Sequence, residues 1–180
     1  MTQEQYNKSI ETGELQLDAW GKFSYFSIVV VLFAMPIACM ALDIFDKSTN
    51  FVRPPIGFII VPTIFGILFY ILQKSRLKFT IVKTRLSKNE FLKLIKQISD
   101  KFKLTTIFEG EDVFVAKTNT EYFSSIIRKQ ITILRNNDEV MINCIFDLNR
   151  KGPVDIMGQN KKAVNTLIEM IERFEKEVGH

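Results

Sequence analysis

The sequence predicts a membrane α-helical hairpin joined to an α+β two-layer sandwich with a mostly antiparallel sheet. Three observations predict it. Two uncharged apolar runs, Phe23 to Leu42 and Pro54 to Gln73, are each 20 residues long, and about 20 apolar residues carry a helix across roughly 30 Å of hydrocarbon. Only eleven residues, Asp43 to Arg53, separate the runs, enough for a turn and too few for a domain. Beyond Gln73 the apolar period switches between that of a strand and that of a helix, in the order β-α-β-β-β-β-α. The expected division is an N-terminal segment 1–22, a two-helix transmembrane hairpin 23–73 (spans 23–42 and 54–73) and an α+β domain 74–180.

Residues 1–22 are polar with scattered apolar positions (Tyr6, Ile10, Leu15, Leu17, Trp20) interrupted by Gly13, the pattern of a short surface helix or a frayed tail. Acidic residues there and the length of the run that follows argue against a cleaved signal peptide. Trp20 and Tyr25 stand at the entrance of the first run and Tyr70 near the exit of the second, where amphipathic rings favour the headgroup level. Pro36 and Pro62 interrupt the runs and imply a kinked pair, while Ala34 and Ala38 form a small-xxx-small pair suited to close helix packing.

Lys78 to Lys83 alternates as a strand does. Ser87-x-x-Glu90 then makes a capping box ahead of Phe91, Leu94, Ile95, Ile98 and Phe102, an amphipathic helix. Leu104 to Phe108 and Val113 to Lys117 flank Glu109-Gly110-Glu111-Asp112 as one β-hairpin. Gln130 to Leu134 and Val140 to Phe146 flank Arg135 to Glu139 as a second. Val164, Leu167, Ile168, Ile171, Phe174 and Val178 close the chain with a helical stripe behind Asn160, the expected N-cap. Two helices over one face of the sheet leave the other face to solvent.

Charge is divided unevenly. Residues 1–73 hold four Lys/Arg against six Asp/Glu, whereas residues 74–180 hold twenty against fourteen. Lys74, Arg76 and Lys78 crowd directly after the second run, so the positive-inside rule places the C-terminal domain in the cytoplasm, and with two spans the N-terminus shares that side. The same three cations suit anionic lipid headgroups. Cys39 and Cys144 form no disulfide framework, in keeping with a reducing compartment.

Chemistry is sparse. The sole histidine is His180, which removes the central member of Ser-His-Asp, Cys-His and His-based metal sites. No phosphate-binding glycine fingerprint occurs, and Glu109, Glu111 and Asp112 fall in a turn where carboxylates are solvated. No catalytic residue, metal site or cofactor is expected. Tyr122, Phe123, Arg128 and Lys129 mix aromatic and basic types without a recognised nucleic-acid motif, so no nucleic acid partner is expected. The segment from Asp147 to Lys162 stands apart: Arg150, Lys151, Gly158, Lys161 and Lys162 cluster near the start of the last helix, where free backbone N–H groups attract anions. It reads either as an anion pocket or as a solvated connection to a capped helix.

The tracts Gln130-Ile-Thr-Ile-Leu134, Val140 to Asn149 and Met157-Gly-Gln-Asn-Lys-Lys162 resemble a pattern in uncharacterised small bacterial membrane proteins with a two-span N-terminal hairpin and a C-terminal α/β domain. The resemblance implies a bacterial inner membrane and carries no activity. The expectation is a non-enzymatic, multi-pass inner-membrane protein whose hairpin anchors a cytoplasmic binding module for a protein partner, a second copy or an anionic ligand. An alternative is a ligand-sensing effector whose domain binds a phosphate-bearing signal and drives hairpin assembly.

Overall fold

The computed structural model describes residues 1–45, 55–118, 129–147 and 159–179. Among them lie helices α1 (Gln3–Thr12), α2 (Ala19–Tyr25), α3 (Ser27–Phe45), α4 (Gly57–Arg76), α5 (Lys88–Phe102) and α6 (Gln159–Val178). The strands are β1 (Thr80–Lys83), β2 (Thr105–Glu109), β3 (Val113–Lys117), β4 (Lys129–Asn136) and β5 (Glu139–Phe146). The chain divides into two compact units, one of residues 1–16 with 76–180 and one of residues 17–75.

The first unit is an α+β domain whose five strands form one sheet in the order β1-β5-β4-β3-β2, antiparallel throughout. Strands β2 to β5 follow one another as a meander, and β1 closes the free side of β5 with Ile81 opposite Met141. The turn between β4 and β5 is only two residues long, with Asn137 at φ 50, a left-handed conformation that asparagine tolerates better than most side chains.

Ile131, Ile133, Val140, Ile142 and Cys144 share one face of β4 and β5 and are buried against Phe91, Leu94, Ile95 and Ile98 of α5 and Leu167 and Ile171 of α6. Helix α5 starts as its sequence requires: the Ser87 hydroxyl accepts from the Glu90 N–H, and the Glu90 carboxylate accepts from the Ser87 N–H at 2.7 Å. The last helix corrects the expectation. Asn160 lies inside α6 as its second residue, because the helix begins two residues earlier than a cap at Asn160 implied.

The expected solvent face does not exist on the central strands. Leu134, Met141 and Ile145, on the opposite face to the helices, are also buried. The near-continuous run from Val140 to Phe146 is the sequence mark of a strand covered on both sides. Burial there coincides with attachment of the N-terminal segment. Helix α1 is closed by a capping box of Thr2 and Gln5 and ends at Gly13 in the left-handed region, φ 65, where glycine has no Cβ to clash. Leu15 N–H donates to the Leu77 carbonyl at 2.8 Å and Phe79 N–H to the Gly13 carbonyl at 2.9 Å. These bonds occupy the outer edge of the chain ahead of β1, with Glu14 bridging Lys78, so β1 proper begins at Thr80 rather than Lys78. Residues 1–16, expected as a separate segment, thus belong with the domain.

Arg135, expected in a turn, is instead the fastening point of this unit. Its Nη1 donates to Asp112 Oδ1 at 2.7 Å, its Nε to the Leu86 carbonyl at 3.2 Å, and its own carbonyl accepts from Tyr6 Oη at 2.8 Å. Burial, then the Asp112 charge, raises the Tyr6 phenol above its ordinary value of 10.0, with Arg135 and Lys88 acting in the opposite sense. A raised pKa in the folded state means that the stability contributed by the phenol is fully present below 10.0 and is lost as pH rises through the folded value. Tyr6→Phe is expected to cost about 0.5–1.5 kcal/mol at neutral pH and to speed amide exchange across α1. The gap from wild type should narrow above pH 10, and equal exchange in the two proteins would show that the hydroxyl does not hold α1.

In the second unit, α3 and α4 pass side by side in opposite directions. Tyr25 Oη donates to the Gln73 carbonyl at 3.1 Å, the rings of Phe26 and Tyr70 lie 5.6 Å apart, and a Cβ on Gly66 would meet the Phe33 ring at 3.2 Å. The least exposed positions recur at Val29, Leu32, Pro36 and Cys39 on α3 and at Ile59, Pro62, Gly66, Phe69 and Gln73 on α4, the spacing of a two-helix seam. Ala34 and Ala38 are exposed and lie off this seam. The small residue at the close approach is Gly66.

The first apolar run is not one helix. Among the described residues only α4 is by itself long and apolar enough to cross a membrane, and α2 and α3 meet the same measure only together, bent by 67° at their junction. The two ends of α2 set where the break falls. Asp18 caps α2 by accepting from the Gly21 N–H at 2.7 Å, and Phe26, at φ −91 and ψ 10, ends it, held by its ring against Tyr70.

Candidate functional site

The feature with the largest chemical consequence is the outer surface of α3 and α4. Away from the seam their side chains are large and apolar, among them Val31, Ile37, Ile64, Phe65 and Leu68, all at least half exposed. Only 11% of the most apolar stretch of α4 is buried, whereas a core helix of a water-soluble domain is covered on most sides. Neither helix carries an Asp, Glu, Lys, Arg or His between Ser27 and Ala41 or between Gly57 and Gln73. Such a surface takes hydrocarbon or another apolar body.

Lys74 lies exposed in the last turn of α4, and Lys78 lies exposed just before β1, with Arg76 half-buried between them. The backbone here is held from the domain side: Asn143 Nδ2, on a buried side chain of β5, donates to the Arg76 carbonyl at 2.9 Å and to the Lys78 carbonyl at 3.0 Å. Asn143 was missed from sequence, where it reads as a polar interruption in a strand. A buried amide within an otherwise apolar run is the signal that would have marked it, since buried amides seek partners.

Of the anion cluster, Lys161 and Lys162 stand exposed in the first turn of α6, where the helix dipole favours negative charge. Arg150, Lys151 and Gly158 lie outside the described residues. Asp147, at the start of that segment, is buried and pairs with Lys117 Nζ at 2.8 Å. Lys129, grouped from sequence with Tyr122, Phe123 and Arg128, is the first residue of β4 and is 1% exposed; the other three lie outside the described residues.

An open groove of about 460 Å³ runs between α5 and the β2–β3 edge. Lys93, Lys96, Asp100 and Glu109 on its walls mix both signs, over Ile95 and Phe114 of the core, so it offers no net attraction to an anion. Of the turn carboxylates, Glu111 pairs with the exposed Lys88 at 2.7 Å and Asp112 with the largely covered Arg135. The Glu111 bond raises the Lys88 ammonium pKa. Among the described residues no group of three or more His, Cys, Asp or Glu is placed to hold a metal ion.

Comparison with known proteins adds no relative. No protein-family model, no curated protein and no solved structure matches the chain.

Proposed function

We propose that this chain is a non-enzymatic integral membrane protein of a bacterial inner membrane. Its helices α3 and α4 form a two-span hairpin that anchors the α+β domain as a cytoplasmic module for a protein partner, a second copy or an anionic ligand. The observation that carries the reading is the exposed apolar surface of α4. Each large aliphatic or aromatic side chain left in water forgoes about 1.5–3 kcal/mol relative to burial, and lipid removes that cost along a whole helix. The lengths agree with it: 19 residues in α3 and 20 in α4 reach about 28 and 30 Å at 1.5 Å per residue, close to the hydrocarbon thickness. Lys74, Arg76 and Lys78 supply the cytoplasmic bias and the headgroup contacts.

The test is orientation in the bilayer. The full chain is expected to resist carbonate extraction, and a C-terminal reporter is expected to be active only when cytoplasmic. Changing Lys74, Arg76 and Lys78 together to Gln should weaken or invert that orientation. Release by carbonate would remove the anchor; resistance with unchanged orientation would remove the topological role of the three cations.

The ligand-sensing version of this reading has one observation in its favour, the exposed pair Lys161 and Lys162 in the first turn of α6. Such a pair suits a phosphate-bearing signal, whose binding would drive association of the hairpins.

A further inference from the structure

We infer that α2 is an interfacial helix, lying among lipid headgroups with Trp20 and Phe23 immersed at the acyl boundary, and that it is not part of the first span. The inference rests on the membrane reading above and adds to it. Three observations carry it.

First, the chain turns by 67° between α2 and α3, so when α3 runs along the bilayer normal α2 lies nearer the membrane plane. Helix α3 by itself has 19 residues and reaches about 28 Å, close to the hydrocarbon thickness.

Second, the level of the bend is fixed from the other helix. Tyr25 is hydrogen-bonded to Gln73 and Phe26 packs on Tyr70. Gln73 is where the apolar run of α4 gives way to Gln73-Lys74-Ser75-Arg76. The bend therefore stands where α4 leaves hydrocarbon.

Third, α2 has two sides. Trp20 and Phe23 are 71% and 55% exposed with ring centroids 5.8 Å apart, the i, i+3 relation of one helix face. Lys22, two residues from Trp20, points elsewhere. An aromatic face opposite an ammonium at the end of an apolar helix fits the lipid interface, where indole rings settle. The apolar surface continues from it onto α3, which identifies lipid as the occupant.

Trp20 is the only tryptophan in the chain, so its fluorescence reports this position directly. The full-length protein is reconstituted in vesicles of phosphatidylcholine and phosphatidylglycerol brominated either near the headgroup or deep in the acyl chain. The expected result is blue-shifted emission, quenched more by the shallow bromines than by the deep ones. The double variant W20F/F23W should behave alike, since both positions share the face. Stronger quenching by deep bromines would put α2 in the span and overturn the inference, as would emission at the wavelength found in water. Blue-shifted emission indifferent to either bromine would mean that a protein surface or a second copy covers α2, and would overturn it too. Carbonate treatment of the same vesicles separates the two readings: protein that is released fails the anchor, whereas retained protein with unquenched Trp20 fails the interfacial helix alone.

Discussion

Leu167→Asp is expected to abolish cooperative unfolding of the α+β domain in the detergent-solubilised full chain. Leu167 has no exposed surface and belongs to the cluster that joins α6 to α5 and to the Ile131, Ile133 and Ile142 face of the sheet. Truncation alone, as in Leu167→Ala, should cost about 2–5 kcal/mol. A carboxylate at the same place adds the penalty for burying an unpaired polar or charged group, against a total stability of about 5–15 kcal/mol. Leu167→Met, which keeps the volume, should stay within about 1.5 kcal/mol of wild type. Near-ultraviolet circular dichroism and thermal unfolding would distinguish the three. A Leu167→Asp protein that keeps its tertiary signal and its transition would contradict the packing of α6 on the sheet.

Ile64→Arg combined with Leu68→Arg is expected to prevent stable membrane insertion. Both residues are exposed on α4 and lie off the seam with α3. On the surface of a water-soluble helix the exchange would be nearly neutral. At the centre of a span each arginine costs about 2.5–3.5 kcal/mol on the insertion scale. The double variant should therefore appear in the carbonate-soluble or degraded fraction. Gly66→Leu provides the contrast, because a side chain there collides with the Phe33 ring and should loosen the helix pair without lowering hydropathy. Full retention of the arginine pair in the membrane pellet would argue that this face of α4 meets water or a polar partner.

The chemistry in the chain was less legible than its elements. Lys161 and Lys162 were recognisable as a cationic first turn, and their exposure agrees with that. Lys129 and Asp147 looked equally available in the sequence, yet both are buried in the structure. Charge type is written locally, but exposure depends on what covers a residue. Arg135 is the converse case. It read as part of a polar turn, while its guanidinium ties together segments distant in sequence, Asp112 and Leu86, and its carbonyl receives Tyr6. The capping of α1 by Thr2 and Gln5, with Gly13 as its stop, was present as a motif but was obscured by the polar composition around it.

By itself the sequence determined what depends on neighbours a few residues apart. The Ser87 and Glu90 box, the 3.6-residue stripes of α5 and α6, the two β-hairpins and the charge-free apolar runs all follow from local periodicity and short-range hydrogen bonding. The tertiary structure alone decided that β1 pairs with β5, that residues 1–16 join the domain, and that the first apolar run bends at Phe26. Each of these is a choice between partners far apart in the chain. It depends on which surfaces complement one another once the local elements exist, as when Tyr25 meets Gln73 or Gly13 meets Phe79, and no local period encodes such a match.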